Sequence, residues 1–530
     1  MRLVLVTLLC SAFAWPALAA GHFDGVSWWD TVRVLADDGL EGRDTGSPGE
    51  RAARRYLARR LAVAGIPTLE QPVELRSRTL VEADSSMTLV RGDEEIPLVL
   101  GEQAFFSTRI DLAPHVDAPL VFVGYGLTVA DAHYDDFVGL DLRGAIAVVM
   151  SGSPSAMSTP LAAHAQSAAE RWKALRAAGA IGMLLIPNPA SMDIPWERMA
   201  VNRSHPSMVL VGHEFDDSAG AQFSATLNPA QGDLLFRGGE HQFAEIAELA
   251  RERRPLPRFA LPIRLRASTH VEGRAVHSAN LIAVVRGADP ALREEYVVLS
   301  AHLDHLGIGQ PIRGDRINNG AMDNASGSAL LLDVATSLAR DHTKPRRSVL
   351  FVWVTGEEKG LLGSRYYSSR PTVPIERIVA DINTDMFLPI VPLQVLTVYG
   401  LDESDLGGVA TRVAHALGYR TQGDGEPLRN LFVRSDQYSF IKQGIPSLSL
   451  KIGYEPGSVE EAVMRRWLSE RYHAPSDDAG QPVDLASAAG FEEVVREITI
   501  RIANDSMRPS WNDDSFFRIY ERGRPTSRSR

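Results

Sequence analysis

The apolar positions fall into a helical rhythm first: Val32 and Leu35, then Ala53, Tyr56, Leu57 and Leu61, recur at one-turn intervals and predict helices across 28–64. Gly42-Arg43-Asp44 divides them with a turn, and Gly65-Ile66-Pro67 stops the second. From 73 to 265 the texture shifts to short β-type runs, among them Leu120-Val121-Phe122-Val123 and 145–150, broken by Gly, Pro and Asp. Within that stretch an amphipathic helix, 162–178, leads into an apolar strand at 180–186. Arg251-Glu252-Arg253-Arg254-Pro255 reads as a solvated junction. After Ser278, apolar strands at 281–285, 296–301, 348–355, 378–381, 395–399 and 447–450 alternate with helices at 325–339, 404–417 and 491–502. This alternation predicts an α/β fold, a mixed open sheet flanked by helices, with a β-rich region inserted at 73–265.

Composition narrows the picture. The chain has 530 residues, 45% hydrophobic and 23% charged, a mixture that excludes collagenous, wholly disordered and multi-spanning membrane classes. At roughly 150 residues per domain it holds two or three domains. Lys and Arg number 55 against 66 Asp and Glu, a net charge of -11, and that balance argues against a nucleic-acid partner. The first residues set Arg2 before an apolar run to Ala14 and end in Ala17-Leu18-Ala19, the pattern of a cleavable export signal over 1–19. The run is shorter than the ~20 residues of a spanning helix. The expectation is a secreted or periplasmic protein without membrane attachment after cleavage. Cys10, the one cysteine, would leave with the signal, so neither thiol chemistry nor a disulfide is expected. Residues 511–530 read as a C-terminal tail, loose over 521–530.

Polar residues that follow an apolar strand in an open α/β sheet stand where ligands bind. Here Val297-Val298-Leu299-Ser300-Ala301 runs into His302-Leu303-Asp304-His305, 349–354 into Thr355-Gly356-Glu357-Glu358, and 378–380 into Asp381, Asn383 and Asp385. Singly each has a plain reading: a hydrogen-bonded histidine, or a solvated helix start. Asp323, in Gly320-Ala321-Met322-Asp323-Asn324-Ala325-Ser326-Gly327, could be a helix N-cap. His473 lies in Tyr472-His473-Ala474-Pro475-Ser476-Asp477. Together, two histidines and several carboxylates at one sheet edge suit divalent zinc bound by nitrogen and oxygen, and a two-metal centre is the economical reading. The glycines and asparagines between His302 and Asp323 suggest a flexible loop beside the cleft; their spacing does not follow a calcium-binding EF-hand. Asn324-Ala325-Ser326 matches a glycosylation acceptor, but a glycan there would sit beside the metals.

The ordered elements H-x-D, D-N-A-S-G, G-E-E, N-x-D-M and Y-H-x-P-x-D, spanning about 281–478, resemble the co-catalytic di-zinc aminopeptidase and glutamate carboxypeptidase family. The resemblance implies that one zinc takes His302 and Asp385, the second takes Glu358 and His473, Asp323 bridges both, and Glu357 is the general base. Two Zn²⁺, three carboxylates and a bridging hydroxide sum to neutrality. Asp304 and Asp477 become candidates to accept a ring N–H from the two ligand histidines. Tyr472 is similar to the tyrosine that helps hold the oxyanion in relatives, and His305 is left as structural or supporting. Arg434-Ser435-Asp436 resembles the family's substrate-side loop, although Gln437 stands where many relatives have His. The region 116–189, with Gly124-Tyr125-Gly126, is similar to the protease-associated domain of some relatives, placed at about 116–250. The implied division is a helical segment 20–72, the inserted region 73–265, a zinc peptidase domain 266–510 and the tail.

The expected function is an exported zinc aminopeptidase with two zinc ions per chain, acting on peptides; nothing in the sequence sets the oligomeric state. A carboxypeptidase or dipeptidase on the same scaffold is the alternative. Only 57 residues follow His473, fewer than the helical dimerisation domain of that branch needs. A receptor-like binding protein without catalysis is a third reading, disfavoured because all six positions are occupied. A glutaminyl cyclase is disfavoured because a single-metal site would not use both Asp323 and Asp385.

Overall fold

A computed structural model describes residues 22–192 and 194–521, so the expected export signal and residues 522–530 lie outside the described residues. The larger sheet has nine strands: β1 (Thr68–Leu80), β2 (Ser207–Leu210), β3 (Val271–Val285), β4 (Tyr296–His302), β5 (Ser348–Val354), β6 (Ile378–Asn383), β7 (Val395–Tyr399), β8 (Arg420–Gln422) and β9 (Ser447–Ile452). Their spatial order is β2-β1-β3-β5-β4-β6-β9-β7-β8. The central strands β5, β4, β6 and β9 run parallel, and β1, β2 and β3 add an antiparallel flank. All residues of β4, β5 and β6 are buried, which explains their near-continuous apolar runs: a parallel sheet is covered on both faces.

Six helices matter for the site: α1 (Val26–Leu35), α2 (Pro48–Val63), α3 (Ser326–Arg340), α4 (Asp405–Ala416), α5 (Val459–Glu470) and α6 (Leu485–Asn504). The main core joins Trp28, Leu57, Leu330, Leu299, Phe351 and Val494 on one face of the sheet. Val298, Leu350, Val352, Tyr367 and Phe440 pack on the other. Strand alternation sends Val298 and Leu299 to opposite faces, so one strand feeds both cores.

A second sheet of eight strands lies in the 86–268 region and has its own core around Leu120, Ile146, Leu184, Phe223 and Leu265. Its strands at 115–122, 146–150, 182–186 and 223–227 pair parallel in that order.

Three boundaries differ from expectation. The break at 73 falls inside β1, which runs to Leu80 against β3, and β2, from the middle of the expected insertion, also joins the larger sheet. Thr68-Leu69-Glu70-Gln71-Pro72, expected within the helical segment 20–72, shows no strand pattern in sequence because that end of the strand faces solvent. The helix expected at 162–178 is two, Thr159–Gln166 and Ala168–Ala177, broken at Ser167, where the backbone is extended. The tail is packed until 520, with Trp511 and Phe517 buried beside Phe432. Among the described residues no helix is long and apolar enough to cross a membrane.

Candidate metal centre

The sheet delivers three carboxyl-end loops to one place. His302 ends β4, Glu357-Glu358 follow β5, and Asp385 follows β6; the turn 321–325 before α3 brings Asp323, and the loop after α5 brings His473. His302 Nε2 lies 3.2 Å from Asp323 Oδ1 and 3.3 Å from Asp385 Oδ1. His473 Nε2 lies 3.3 Å from Asp323 Oδ2 and 3.3 Å from Glu358 Oε2. The two oxygens of Asp323 thus face two different imidazoles. All five expected ligand residues meet here.

The chemistry of this donor set fits cations. His302 Nδ1 is 3.0 Å from the main-chain carbonyl of Asp304, which can only accept, so Nδ1 carries a hydrogen. In a neutral ring Nε2 then has only its lone pair, and it faces two carboxylate oxygens. Lone pairs converge like this when a positive charge sits among them. Without one the ring takes up a proton: against the penalty of burial, the carboxylates of Glu357, Asp323 and Asp385 hold His302 well above its ordinary value. Separations of 3.2 to 3.3 Å are also the edges of a tetrahedron with bonds of about 2.0 Å to its centre.

The supporting contacts differ from those expected. The Asp304 carboxylate does not reach the His302 ring. It accepts from Thr45 Oγ1 at 2.9 Å and from the Glu357 main-chain N–H at 3.1 Å, while its carbonyl holds the imidazole. Asp477 does not reach His473 either: it accepts from the amides of Met322 and Asp323 at 2.9 and 3.0 Å, and so fixes the turn that carries Asp323. In both cases the carboxylate accepts from nearby main-chain amides instead of from the ring. Burial pushes Asp477 up to about 6. His305 Nδ1 is 2.7 Å from Glu358 Oε1, a hydrogen-bond length shorter than the ligand edges, which leaves Glu358 Oε2 turned toward His473. His305 is also close enough to Asp323 and Glu358 to share an ion with them, but the shorter contact makes it a donor to Glu358.

Other sequence readings resolve locally. Asp323 does not cap α3, whose first flanking residue is Ala325. Asn324 is fully buried and donates to the Thr384 carbonyl, so it is not presented for glycosylation. The segment after His302 forms a hairpin, Gly307–Ile312 with Asp315–Asn318. Gly320 adopts φ 60°, and a Cβ there would stand 2.1 Å from the Asp323 carbonyl oxygen, so the turn requires glycine. Gln437 is buried and bonded to Asn383 and to the Phe432 carbonyl, away from the cleft.

Glu357 lines the pocket over the cluster, with Asp323, Asp385, Met386, Tyr472 and His473. Burial, reinforced by Glu358, Asp385 and Asp436, pushes its carboxyl well above the ordinary value. The Tyr472 ring lies tilted against that of His473, with centroids 3.9 Å apart.

Sequence reasoning missed the contribution of the smaller layer. In the helix Trp196–Asn202, Arg198 donates to the carbonyls of Leu468 and Tyr472, and Asn202 Nδ2 donates to that of His473 at 3.3 Å. No local pattern marks these residues, because the contacts span 270 positions or more. Arg43 is a second case: its buried guanidinium donates to the carbonyls of Leu303, Asn319 and Gly320, binding the His302 loop to the Asp323 turn.

Comparison with known proteins converges on this region. Residues 280–499 match the model for Peptidase family M28. Aminopeptidase Y of Saccharomyces cerevisiae is 28% identical over 205 residues, 38% of this chain and 35% of that protein. An aminopeptidase of Pseudomonas aeruginosa is 29% identical over 229 residues, 41% of this chain and 40% of the other. The chain therefore spans well under half the length of these curated relatives. The solved aminopeptidase of Aneurinibacillus sp. strain AM-1 shares the fold, with a TM-score of 0.56 at 20% identity, over 91% of this chain and 94% of that one.

Proposed function

We propose, from the match of residues 280–499 to the model for Peptidase family M28, that the protein is an exported metallo-aminopeptidase that removes N-terminal residues from peptides. His302 and Asp385 would hold one zinc ion, Glu358 and His473 a second, with Asp323 shared between them. The observation that carries this reading is the His302 Nε2 lone pair aimed between two carboxylates, with the two oxygens of Asp323 divided between two imidazoles.

Such a pair of ions would supply Lewis acidity toward the scissile carbonyl and acidify water at neutral pH. The residues of this chain do the rest. Glu357, crowded by carboxylates and raised in pKa, can take a proton from the attacking water and return it to the departing amine. The Asp304 carboxylate fixes the Glu357 main-chain N–H, and its carbonyl fixes the His302 tautomer. Tyr472 stands at the pocket wall, where a donor to the developing oxyanion is useful. The helix Trp196–Asn202 holds the loop of His473 through Arg198 and Asn202, and the inserted region would act as a protease-associated module that restricts access of large substrates.

Metal analysis together with Glu357→Gln tests the assignment. The expected result is two transition-metal ions per chain in both proteins, with kcat of the variant lower by about 10² to 10⁴. Wild-type turnover in a fully loaded variant would remove Glu357 as the base. Active protein without bound metal would remove the mechanism.

A further inference from the structure

The pocket over the metal cluster is not lined by carboxylates alone. Lys451, near the carboxyl end of β9, and Arg434, from the loop before Gln437–Ile441, enter the same lining as Asp385 and Glu357, beside Tyr399 and Leu431. Arg434 reaches back to the Arg429 carbonyl at 3.1 Å. Among the described residues, the Lys451 ammonium has no hydrogen bond or ion pair. The negative charges acting on it are Asp385 and Asp323; Arg429 and Arg434 oppose its charge.

Asp385 and Asp323 are the carboxylates that the metal reading commits to cations. Once they are so engaged, their charge no longer balances Lys451. Lys451 then faces a pocket whose metal cluster would itself be neutral, and a partly buried ammonium without an anion is costly. An apolar N-terminal side chain would leave that cost in place. A carboxylate would remove it, through an ion pair whose hydrogen bonds are charge-assisted. From this geometry, and resting on the peptidase reading above, we infer that Lys451, assisted by Arg434, binds a substrate carboxylate beside the scissile bond. The chemistry is shared by two sources, the acidic side chain of an N-terminal Asp or Glu and the C-terminal carboxylate of a short peptide.

Three substrates separate the sources in the metal-loaded enzyme: Glu-Ala-amide, Leu-Ala-amide and N-acetyl-Ala-Glu. A side-chain carboxylate predicts that kcat/KM for Glu-Ala-amide exceeds that for Leu-Ala-amide by about tenfold or more, and that Lys451→Met abolishes the difference mainly through KM. Preferential cleavage of N-acetyl-Ala-Glu, lost in Lys451→Met, keeps the carboxylate site, assigns it to the C-terminus and overturns the aminopeptidase reading. Preference for Leu-Ala-amide, with a Glu to Leu ratio unchanged by Lys451→Met, overturns the inference and leaves the peptidase reading standing. If no peptide is cleaved, calorimetry of L-glutamate against L-leucine decides. Glutamate binding weakened at least tenfold by Lys451→Met supports the site, and equal binding of the two amino acids refutes it. Metal content is measured in parallel. A variant that loses metal, with its substrate ratio unchanged, shows that Lys451 only supports Asp385 and also refutes the inference.

Discussion

The two halves of the proposed metal centre are built by different means. His302 and Asp385 rise directly from the neighbouring parallel strands β4 and β6, and the His302 side chain is 1% exposed. Its ring is fixed by a carbonyl two residues away, and the Asp304 carboxylate behind it is anchored by Thr45. The His473 side chain is 22% exposed, on a residue with φ 56°, in a loop. That loop is held from outside, by Arg198 and Asn202 of the smaller layer. One half inherits its geometry from the sheet; the other depends on how two layers dock. Shared between them is Asp323, itself fixed through Asp477.

The sharpest way to break the contrast is to remove what the halves share. Asp323→Ala should abolish binding of both ions, with kcat/KM falling more than about a thousandfold; retention of one full-affinity ion by elemental analysis would show that the halves are independent.

A second test addresses the sheet-built half. Glu50 is fully buried beneath it, accepts from Ser278 and Thr355, and is pushed by burial and by Asp304 from 4.5 to about 7. Its folded pKa lies above the unfolded value, so between these two pH values the native state binds more protons. The contribution to stability is complete below pH 4.5 and is lost as pH rises to about 7, by at most about 3 kcal/mol. Denaturant midpoints at pH 5 and pH 7.5 should therefore separate less in Glu50→Gln than in the wild type.

Third, Arg198→Ala combined with Asn202→Ala should weaken one of two metal affinities by about 10- to 100-fold and spare the other. Equal weakening of both would erase the distinction between the halves. Smallest is Thr45→Val, which removes one donor to the Asp304 carboxylate and should cost about 1 kcal/mol of stability in chemical denaturation.

Much of this was legible in sequence because the central strands carry two local signals at once. Val297 to Ala301 is an unbroken apolar run, and a strand buried on both faces needs one; His302 then follows where such strands open to ligand. The same logic covers Glu358 and Asp385. What stayed hidden lacks a local signature. The solvent-facing end of β1 carries polar residues, so its membership in the larger sheet is decided by pairing with β3 over thirteen positions rather than by its own pattern. The short helix Gln437–Ile441 buries all of its residues and so has no polar face to give it periodicity. The carboxylates of Asp304 and Asp477 do not accept the ring N–H bonds expected of them; their partners include main-chain amides, which sequence does not display. Arg198 and Asn202 act on carbonyls, so the residues they hold leave no complementary trace.

The grip of Trp196–Asn202 on the loop of His473 has a mechanical corollary. Any hinge-like gaping of the small lobe away from the large one would pull on the backbone that presents an imidazole. Admission of bulky chains and retention of one ion would then compete for the same few hydrogen bonds.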